Sequence, residues 1–511
     1  MTNPSQEFAA SLIAEFVASG VKNFYLAPGA RSQALAIAAG QLSQAGKLSL
    51  TIRLDERTLA FTALGRAMAT GEPSVIITTS GTAVANLHPA VLEANHSGVP
   101  LILLTADRPA ELRGVGANQT TDQVGIFSGV LRGFHDVPAP RPGSNPSAGE
   151  LVDAAIAQSL GVSKQPGPVQ LNLQFVEPLS ASEPSALNVL SKLTTRALPV
   201  APVVQEELEI EVDNHTVVIA GAGAGSDAVR FAERANLPLF AEPSSGARYG
   251  SSAITDYVQA LGSDLADQVR RVVIFGKPTL SRPIIALIKR CNVYVANSKQ
   301  FGKFDVGNNA IATSWQLMPG GRADSAWIAS WKNFEPPTDE RALLARAVWN
   351  ATGSIPLLFG ASNLIRVADR VVRPAAVTTF ANRGLSGIDG TVATAIGIAQ
   401  AGNGVRALIG DLTLIHDVGS LNKSGLRNLN VQLIVGNDSG GQIFRNLEVS
   451  KNIPNELFEQ LFITPQHLSI EAVVRAFDWQ YFEVQSIAEL EKAMKAEGFV
   501  IIDYKLSAAK A

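Results

Sequence analysis

Two stretches near the C-terminus, RALIGDL at residues 406–412 and VQLIVGNDSGG at residues 431–441, have the pattern that decides the fold. Each starts with an apolar run that is too short for a helix and ends at glycine and acidic residues, which is typical of strands in α/β proteins. Asp411 and Asp438 are 27 positions apart, the length of one strand–helix–strand step. The spacing predicts two adjacent parallel strands with both aspartates at one edge of a sheet.

The same alternation of short apolar runs and helical patterns extends along the chain, so we predict an α/β protein with three doubly wound, parallel-sheet domains. The domains are predicted at residues 1–180, 203–335 and 340–511, and the first and last are expected to have similar architectures. A Pro/Ser-rich linker at 178–202 and a proline-containing break at 334–338 separate them. The predicted strands are 24–27, 50–54, 75–79, 101–105, 216–220, 271–275, 292–295, 357–359, 376–380, 406–409, 431–435 and 500–504, and the first domain has helical patterns at 57–69 and 82–95.

The composition excludes several classes of protein. The chain has 511 residues, of which 46 % are hydrophobic and 17 % charged, so it can bury sizeable cores. A net charge of −3 gives no basic surface for nucleic acid, and no apolar run is long enough to span a membrane. Cys291 is the only cysteine, which excludes an intrachain disulfide framework and favours a reducing compartment. We expect a cytoplasmic protein without nucleic-acid partners or membrane insertion.

The two aspartates predict a metal–diphosphate site. Gly410 and Gly440 let backbone and phosphate approach closely. Hard cations such as Mg²⁺ prefer oxygen ligands and commonly share them with bound phosphates. The alternative is a glycine-rich loop with two solvated acids.

Polar side chains also follow the four predicted strands of the first domain. Residues 28–32, 55–57, 80–82 and 107–109 bring two arginines, a carboxylate and hydroxyl groups to these strand ends. Because ligands bind beyond the carboxyl ends of parallel strands, we predict a second part of a site here. The alternative is that these residues are helix caps and loop charges.

A glycine-rich turn at 221–225 resembles a dinucleotide-binding turn, with Glu242 as its potential acidic partner. Its glycine spacing is GxGxG and not GxGxxG, so we predict a tight structural turn. The alternative function that it leaves open is a nucleotide-binding oxidoreductase module.

The GD motif at 410–411, the ND motif at 437–438 and the isolated Glu56 at a strand end together resemble the thiamine-diphosphate enzyme family. The resemblance implies a pyrimidine-binding, a central and a diphosphate-binding domain, in that order. Longer motifs lie at 27–32, 105–109, 116–119, 382–390 and 440–444. Within that family, these motifs resemble the 2-succinyl-5-enolpyruvyl-6-hydroxy-3-cyclohexene-1-carboxylate synthases of menaquinone biosynthesis.

This resemblance implies a cofactor, a metal and a reaction. Thiamine diphosphate with Mg²⁺ or Mn²⁺ would support decarboxylation of 2-oxoglutarate and conjugate addition of the remaining succinyl unit to isochorismate. Glu56 would be the catalytic residue that hydrogen-bonds the cofactor pyrimidine, and an apolar environment that raises its pKa would help. The metal ligands would be Asp411, Asp438 and the Gly440 carbonyl. The cofactor-binding residues would be Ser386, Ile388, Gly410, Asp411, Leu412, Asn437, Asp438, Gly440, Gln442 and Ile443.

Both implied substrates are dicarboxylates, which the planar fork of arginine can pair bidentately. The implied substrate-binding residues are Arg31, Ser32, Arg108, Asn118, Gln119, Arg282, Ser362, Arg366, Arg383, Ile443 and Phe444. Three positions depart from the family pattern: Leu412 replaces a glycine, Asp438 replaces an asparagine, and Ser281 stands where related synthases often carry lysine. The extra charge of Asp438 should increase the dependence on the metal.

The resemblance also implies a homodimer or homotetramer with interfacial active sites, in which Glu56 of one subunit serves the diphosphate site of another. The alternative within the cofactor class is another 2-oxoacid decarboxylase or carboligase. Paired histidines used by many decarboxylases are not apparent, and the arginines favour a diacid substrate.

Overall fold

The protein is described by a computed structural model that covers residues 3–180, 185–201, 206–298, 300–402, 404–426 and 428–507. The chain forms two compact units. The first comprises residues 1–202, 393–402 and 422–428, and the second comprises 203–392, 403–421 and 429–511. The predicted central and C-terminal domains therefore lie mainly within the second unit. Their limits stay a prediction, and the limits at residues 1, 203 and 511 lie outside the described residues.

The first unit is built on a six-stranded sheet in which all paired strands are parallel. Its strands are β1 (Asn23–Leu26), β2 (Ser49–Ile52), β3 (Ser74–Thr78), β4 (Leu101–Asp107), β5 (Gly133–Val137) and β6 (Val169–Gln174). The helices are α1 (Pro4–Ala18), α2 (Gln33–Gln44), α3 (Glu56–Thr70), α4 (Thr82–Ala85), α5 (His88–Ser97), α6 (Ala148–Ser159) and α7 (Ala186–Leu190), with a 3₁₀ turn at Ala110–Leu112. The strand order is β2-β1-β3-β4-β6-β5.

Successive side chains of these strands enter two different hydrophobic cores. Val75 and Ile77 of β3 lie in the core on one face, whereas Ile76 between them lies in the core on the other. Alternation of side chains along a strand produces this arrangement, and a parallel sheet covered by helices on both faces requires it. The doubly wound architecture predicted for this segment is therefore confirmed.

Two local predictions for the first unit need correction. The helix expected over 82–95 is interrupted, and α5 begins at His88 with Pro89 in its first turn. At that position the missing N–H group of proline costs the helix no hydrogen bond. The linker expected at 178–202 contains α7, whose Ala186 is fully buried in the core. Residues 181–184 and 202 of that linker lie outside the described residues.

The central segment forms a parallel sheet of five strands and a two-stranded parallel pair. Its strands are β7 (Glu207–Ile210), β8 (Thr216–Ala220), β9 (Leu239–Ala241), β10 (Arg271–Phe275), β11 (Asn292–Ala296), β12 (Ala310–Ser314) and β13 (Gln316–Pro319). Its helices are α8 (Gly225–Ala235), α9 (Tyr257–Ala260), α10 (Leu265–Gln268), α11 (Arg282–Arg290) and α12 (Ser325–Ser330). The larger sheet has the order β12-β11-β10-β8-β9, and β13 pairs with β7.

The C-terminal segment repeats the topology of the first sheet. Its strands are β14 (Leu357–Phe359), β15 (Thr379–Ala381), β16 (Val405–Gly410), β17 (Val431–Asn437), β18 (Gln480–Val484) and β19 (Phe499–Lys505). Its helices are α13 (Glu340–Ala351), α14 (Asn363–Val371), α15 (Thr391–Ala399), α16 (Asp411–His416), α17 (Val449–Asn452), α18 (Asn455–Phe458), α19 (Ile470–Ala476) and α20 (Ile487–Ala493), with 3₁₀ turns at Val418–Leu421 and Gln442–Asn446 and a π turn at Glu459–Ile463. The order β15-β14-β16-β17-β19-β18 is that of the first sheet, strand for strand, so the predicted similarity of these two segments is confirmed.

The register of the last sheet explains how the two acidic motifs meet. Strands β16 and β17 are parallel neighbours in which Gly410 pairs with Gly436. Both strands therefore end at the same edge, as the spacing predicted. No helix in the described part of the chain combines the length and apolar character that crossing a bilayer requires.

A buried arginine joins parts of the second unit that are distant in sequence. Arg248 is 2 % exposed and donates to the carbonyl oxygens of Ala241 (2.5 Å), Asp369 (2.9 Å) and Val372 (3.1 Å for Nε, 3.0 Å for Nη2). It also lies 3.5 Å from the carboxylate of Asp369, which accepts a 2.5 Å hydrogen bond from the Tyr257 hydroxyl. These bonds fix α14 against the central sheet, because a buried guanidinium must keep its hydrogen-bond partners.

Candidate active site

Two aspartates meet at the carboxyl edge of the last sheet. Asp411 is the first residue of α16 and is 4 % exposed, and Asp438 directly follows β17. Burial, and next the charge of Asp438, raise the pKa of Asp411 to about 6. Burial also raises the pKa of Asp438, although a hydrogen bond from Arg341 opposes this effect. Because burial and mutual repulsion disfavour two ionised carboxylates here, a bound cation would stabilise them.

The donor set fits a hard cation. The two carboxylates and the Gly440 carbonyl offer the oxygen ligands that Mg²⁺ and Mn²⁺ favour. Among the described residues, no group of three or more His, Cys, Asp or Glu side chains could hold a metal. The remaining coordination positions would therefore be filled by water and diphosphate oxygens, as is usual for Mg²⁺.

The glycine pair at 440–441 is required by close backbone packing. Gly440 has φ of 126°, and a Cβ atom there would lie 2.3 Å from the Ile463 carbonyl oxygen. The Gly441 N–H donates to the same carbonyl at 2.7 Å, and the Gly440 N–H donates to Asp411 Oδ2 at 2.8 Å. The turn after β17 is thus fixed on one side by the segment that ends at Ile463 and on the other by Asp411.

Arg341 is a charged residue of this site that the sequence reasoning missed. It lies in the first turn of α13, and its Nη2 atom donates to Asp438 Oδ2 at 2.8 Å and to the Ser507 carbonyl at 3.1 Å. Both side chains of the ion pair are largely buried, with 14 % and 13 % exposure. No local motif could have indicated it, because the pair spans 97 positions of sequence.

Other predicted cofactor residues have structural contacts of their own. The Asn437 side chain donates to Asp503 (2.9 Å) and accepts from the Ser439 N–H (3.2 Å), so it shapes the turn that carries Asp438. Gly410 is the N-cap of α16 and Leu412 is half-buried within it. Their direct contact with a cofactor stays a prediction.

The loop after β15 carries two more predicted cofactor residues. Ser386 has a positive φ of 61°, and Ile388 is half-buried, with its carbonyl accepting from the Thr391 hydroxyl at 3.0 Å. The loop therefore joins directly to α15, and Ile388 lies just before the helix begins. The apolar support that Ile388 would give to a cofactor stays a prediction.

Gln442, Ile443 and Phe444 form the 3₁₀ turn after the glycine pair. Gln442 is buried and accepts a 2.6 Å hydrogen bond from Arg445, whereas Ile443 and Phe444 are half-buried. Phe444 packs edge-on against Phe462 with ring centroids 5.8 Å apart. These two contacts hold the turn in place, which the wall of a binding pocket requires.

Two of the predicted substrate arginines in the second unit lie close together. Ser362 caps α14 beyond the end of β14, and Arg366, one turn later, donates to its carbonyl at 2.8 Å. Arg383 is 3 % exposed and donates to the Thr279 hydroxyl at 2.5 Å. The guanidinium groups of Arg366 and Arg383 repel each other, and an anionic ligand would relieve this repulsion. Arg282 differs, since it is 76 % exposed and pairs with the equally exposed Glu448.

The first unit places its predicted arginines beyond the carboxyl ends of β1 and β4, which are separated in the sheet by β3. Arg31 donates to the Phe175 carbonyl at 3.2 Å, and burial and next the charge of Arg108 lower its pKa. Arg108 is 8 % exposed and donates to Ser80 Oγ (2.6 Å) and to the Gln119 carbonyl (2.5 Å). Two nearby cations at the strand ends fit an anionic ligand better than they fit helix capping.

The remaining predicted residues of the first unit differ in exposure. Ser32 is fully buried and donates to the Gly29 carbonyl at 3.2 Å, which is a structural contact. Asn118 and Gln119 are exposed, and Gln119 also donates to the Ser80 carbonyl at 2.9 Å with φ of 53°. A substrate contact is therefore easier to reconcile with the two amides than with Ser32.

Behind these residues lies a buried polar network that the sequence did not predict. Asp107 is fully buried and accepts from Arg113 (2.7 Å) and Asn172 (3.0 Å). Arg113 also makes a forked pair with Asp136, with both bonds at 2.8 Å. Asp107 was predicted only as a strand-end charge. Its partners become visible only when β4, β5 and β6 are assembled.

Glu56 begins α3, next to a residue that caps the helix. Asp55 accepts hydrogen bonds from the N–H groups of Arg57 (2.8 Å) and Thr58 (3.3 Å), so the capping interpretation is confirmed for Asp55. Because Asp55 makes the capping hydrogen bonds, the half-buried Glu56 is not needed as the cap. Its catalytic role stays a prediction.

The glycine-rich turn at 221–225 packs tightly inside its own unit. A Cβ atom at Gly221 would lie 2.0 Å from the nitrogen of Pro278, and Ala222 forms a backbone bridge with Lys277. The first glycine is thus required by the neighbouring loop, which supports the prediction of a structural turn.

Comparison with known proteins matches both ends of the chain to one family. The N-terminal TPP binding domain of thiamine pyrophosphate enzymes matches residues 6–126, and the C-terminal TPP binding domain matches residues 361–504.

Three relatives that match most of the chain have the name 2-succinyl-5-enolpyruvyl-6-hydroxy-3-cyclohexene-1-carboxylate synthase. The protein from Leifsonia xyli is 40 % identical, with 97 % of this chain and 95 % of the relative covered. Those from an Arthrobacter species (39 %, covering 93 % and 85 %) and Renibacterium salmoninarum (38 %, covering 96 % and 92 %) are similar. The chain therefore belongs to the 2-succinyl-5-enolpyruvyl-6-hydroxy-3-cyclohexene-1-carboxylate synthase family of thiamine pyrophosphate enzymes.

Proposed function

We propose that this chain catalyses the thiamine-diphosphate-dependent reaction of 2-oxoglutarate with isochorismate in menaquinone biosynthesis. The reaction yields 2-succinyl-5-enolpyruvyl-6-hydroxy-3-cyclohexene-1-carboxylate and CO₂. One carbon–carbon bond breaks when the C1 carboxylate of 2-oxoglutarate leaves as CO₂, and one forms to the ring alkene of isochorismate.

One observation carries this proposal beyond family membership. Asp411 and Asp438 lie at the ends of adjacent strands, and the turn that contains Gly440 is hydrogen-bonded to one of them. The residues fit a divalent cation that binds a diphosphate. The arginines at the other strand ends fit the carboxylates that both substrates carry.

The chain's own residues would position the reactants and control protons. When bound, thiamine diphosphate supplies the electron sink that stabilises the charge left by the loss of CO₂. Asp411, Asp438 and Gly440 would bind the metal, and Glu56 would hold a proton at the cofactor pyrimidine. Arg31, Arg108, Arg366 and Arg383 would orient carboxylates, and Ile443 and Phe444 would exclude water from the reacting atoms.

A product assay tests the proposal directly. The purified protein, loaded with thiamine diphosphate and Mg²⁺, is incubated with 2-oxoglutarate and isochorismate, and the product mass and CO₂ release are measured. Pyruvate in place of 2-oxoglutarate is the matched control, because it lacks the second carboxylate. Preferred turnover of pyruvate would favour the alternative of another 2-oxoacid decarboxylase or carboligase.

The nucleotide-binding alternative is tested by titration with NAD. A cavity of about 490 Å³ lies beside Gly223 and is lined by Arg230 and Arg234, so it is the place where a nucleotide would bind. Nicotinamide binding without thiamine diphosphate binding would favour that alternative.

Arg31→Ala is expected to raise the KM for one substrate about 10- to 150-fold, since the loss of a charge-assisted hydrogen bond costs roughly 1.5–3 kcal/mol. Folding should change little, because the Arg31 side chain makes, among the described residues, one hydrogen bond to a backbone carbonyl and one long ion pair. Arg108 is a less clean test, since its removal also deletes hydrogen bonds to the Ser80 hydroxyl and the Gln119 carbonyl, which shape the loop. Steady-state kinetics with each substrate varied in turn measures the effect.

The control for this variant is Arg141→Ala, which removes an exposed arginine whose partner Glu111 is also exposed. It should leave both KM values unchanged. An Arg31→Ala enzyme with the same kinetics as the control would exclude Arg31 from substrate binding.

We further propose a homodimer or homotetramer whose active sites form between subunits, in the cytoplasm. Family membership supports the oligomer, and the single, buried Cys291 fits a reducing compartment. Sedimentation velocity at assay concentration measures the oligomeric state.

Mixing two inactive variants tests whether the sites are shared. Glu56→Gln and Asp411→Asn chains, co-expressed with different tags, should recover about a quarter of wild-type activity, because random pairing makes half of the dimers mixed and each mixed dimer contains one intact site. Sites built within one subunit would give no recovery. The two homodimers, assayed separately, are the control.

A further inference from the structure

Glu242 is a buried carboxylate to which the proposed chemistry assigns no role. It follows β9, is 2 % exposed, and its Oε1 atom accepts hydrogen bonds from the backbone N–H groups of Thr279 (2.6 Å) and Leu280 (2.7 Å). Its Oε2 atom is shielded from solvent and has no hydrogen-bond partner among the described residues. A charge on this oxygen is therefore poorly solvated, which makes the ionised form costly.

The segment that Glu242 fixes also fixes a predicted substrate arginine. Thr279, whose N–H group Glu242 accepts, receives through its hydroxyl the 2.5 Å hydrogen bond from Arg383. Two residues earlier, Lys277 donates to the Gly384 carbonyl at 2.7 Å. Glu242 is thus connected to the Arg383 guanidinium through a single intervening residue.

Within the described part of the chain, four ionisable groups from other elements face Glu242. They are Tyr257 on α9, Arg366 and Asp369 on α14, and Arg383 after β15. Burial, and next the charge of Asp369, raise the pKa of Glu242 to about 7, although Arg383 opposes this. Burial raises the pKa of Asp369 to about 6, and Arg248 and the Tyr257 hydroxyl oppose this rise because they stabilise its ionised form. Glu242 lacks such partners at Oε2, so it is the acid of this pair that takes a proton first.

We propose that Glu242 is a positioning residue for Arg383, and that binding of a substrate carboxylate at Arg366 and Arg383 is coupled to uptake of one proton by Glu242. The inference rests on the proposed function, in which these arginines bind a dicarboxylate. Without substrate, the Glu242 carboxylate is the negative charge that offsets the two guanidinium groups. Once a substrate carboxylate provides that charge, a second buried anion is unfavourable, and one proton from solvent neutralises Oε2.

The coupling has a definite sign. Binding that takes up a proton weakens as the pH rises above the pKa of the free group, so at pH 8 the affinity should be about tenfold below its low-pH limit, given a pKa of about 7 for Glu242. Glu242→Gln mimics the protonated acid, and its amide oxygen can still accept both N–H groups. Its affinity should be independent of pH and about tenfold higher than that of the wild type at pH 8.

The test is calorimetry of the holoenzyme, with thiamine diphosphate and Mg²⁺, titrated with glutarate at pH 8. Glutarate has both carboxylates but no keto group, so it cannot be decarboxylated. Titrations in phosphate and in Tris, which differ in ionisation enthalpy, give the number of protons taken up. We expect close to one proton for the wild type, none for Glu242→Gln, and close to one for Asp369→Asn.

Any of three results would overturn the inference. They are binding heats of the wild type that do not depend on the buffer, a failure of the wild type to bind glutarate, and a proton uptake by Glu242→Gln equal to that of the wild type. If Glu242→Gln does not fold, the wild type still decides: its proton uptake must fall towards zero as the pH is lowered through 6, where Glu242 is already protonated. Thr279→Val separates positioning from titration. It removes the acceptor of Arg383 but keeps the backbone N–H groups, so it should raise the KM and preserve the uptake.

Failure of this inference and failure of the proposed function are distinguishable. A protein without synthase activity that still shows Glu242-dependent proton uptake would refute the proposed reaction alone. An active synthase in which Glu242→Gln leaves the uptake unchanged would refute the inference alone.

Discussion

Asp411→Asn is expected to weaken metal-dependent binding of thiamine diphosphate by more than about 100-fold, because changes to outer-shell partners alone cost roughly 10- to 100-fold in metal sites. The substitution is nearly isosteric, and its amide oxygen can still accept the Gly440 N–H that Asp411 accepts at 2.8 Å. The turn should therefore keep its shape while the site loses a negative ligand. Calorimetric titration with the cofactor, with and without Mg²⁺, measures the loss.

Two further variants sharpen this test. Asp267→Asn removes a carboxylate that is 80 % exposed and should leave binding unchanged. Asp438→Asn restores the residue type usual in the family, so it should retain cofactor binding and reduce the Mg²⁺ dependence, although it also removes the ion pair with Arg341. Wild-type affinity in Asp411→Asn would mean that the cation binds elsewhere.

Glu56→Gln is expected to lower kcat by about 10²- to 10⁴-fold, which is the usual contribution of a positioned acid–base group. An amide can form a hydrogen bond with the cofactor pyrimidine but cannot transfer a proton to or from it. Affinity for thiamine diphosphate should therefore change far less than turnover. Single-turnover kinetics together with cofactor titration separates the two effects.

The competing explanation for Glu56 is a first-turn glutamate that only favours the helix dipole. Glu150→Gln is the matched control, since Glu150 is an exposed glutamate in the first turn of α6 in the same unit. The dipole effect contributes roughly 0.3–1 kcal/mol to stability and does not affect catalysis. Equal activity of the Glu56 and Glu150 variants would remove Glu56 from the mechanism.

Most of the architecture could be predicted because it is encoded locally. All twelve predicted strands overlap strands of the structure, since short β-branched and apolar runs that end in glycine or polar residues leave few alternatives. The missed strands include β6 (VQLNLQ), which is fully buried although polar residues interrupt its apolar pattern, and β5 (GFHDV) and β18 (QYFEV), which are only partly buried and lie at sheet edges. Edge strands need less apolar sequence, so their pattern is less distinct.

Some contacts of the candidate site could likewise be predicted from the sequence, and others could not. The proximity of Asp411 and Asp438 followed from their spacing, because one crossover between parallel strands has a limited set of geometries. The pairing of Asp438 with Arg341, and the position of Glu242 behind Arg383, did not follow from any spacing. From the sequence, Glu242 was considered only as a partner of the glycine-rich turn, whereas its carboxylate accepts hydrogen bonds from Thr279 and Leu280.

The amino-acid sequence by itself determined the fold class, the strand ends and the motif residues that indicate the cofactor, because periodicity and turn chemistry act over a few residues. Only the tertiary structure decided which charges are neutralised, which are buried and which remain available to a ligand. Those properties depend on side chains brought together from distant elements, and on the loss of solvent around them, and neither leaves a pattern along the chain.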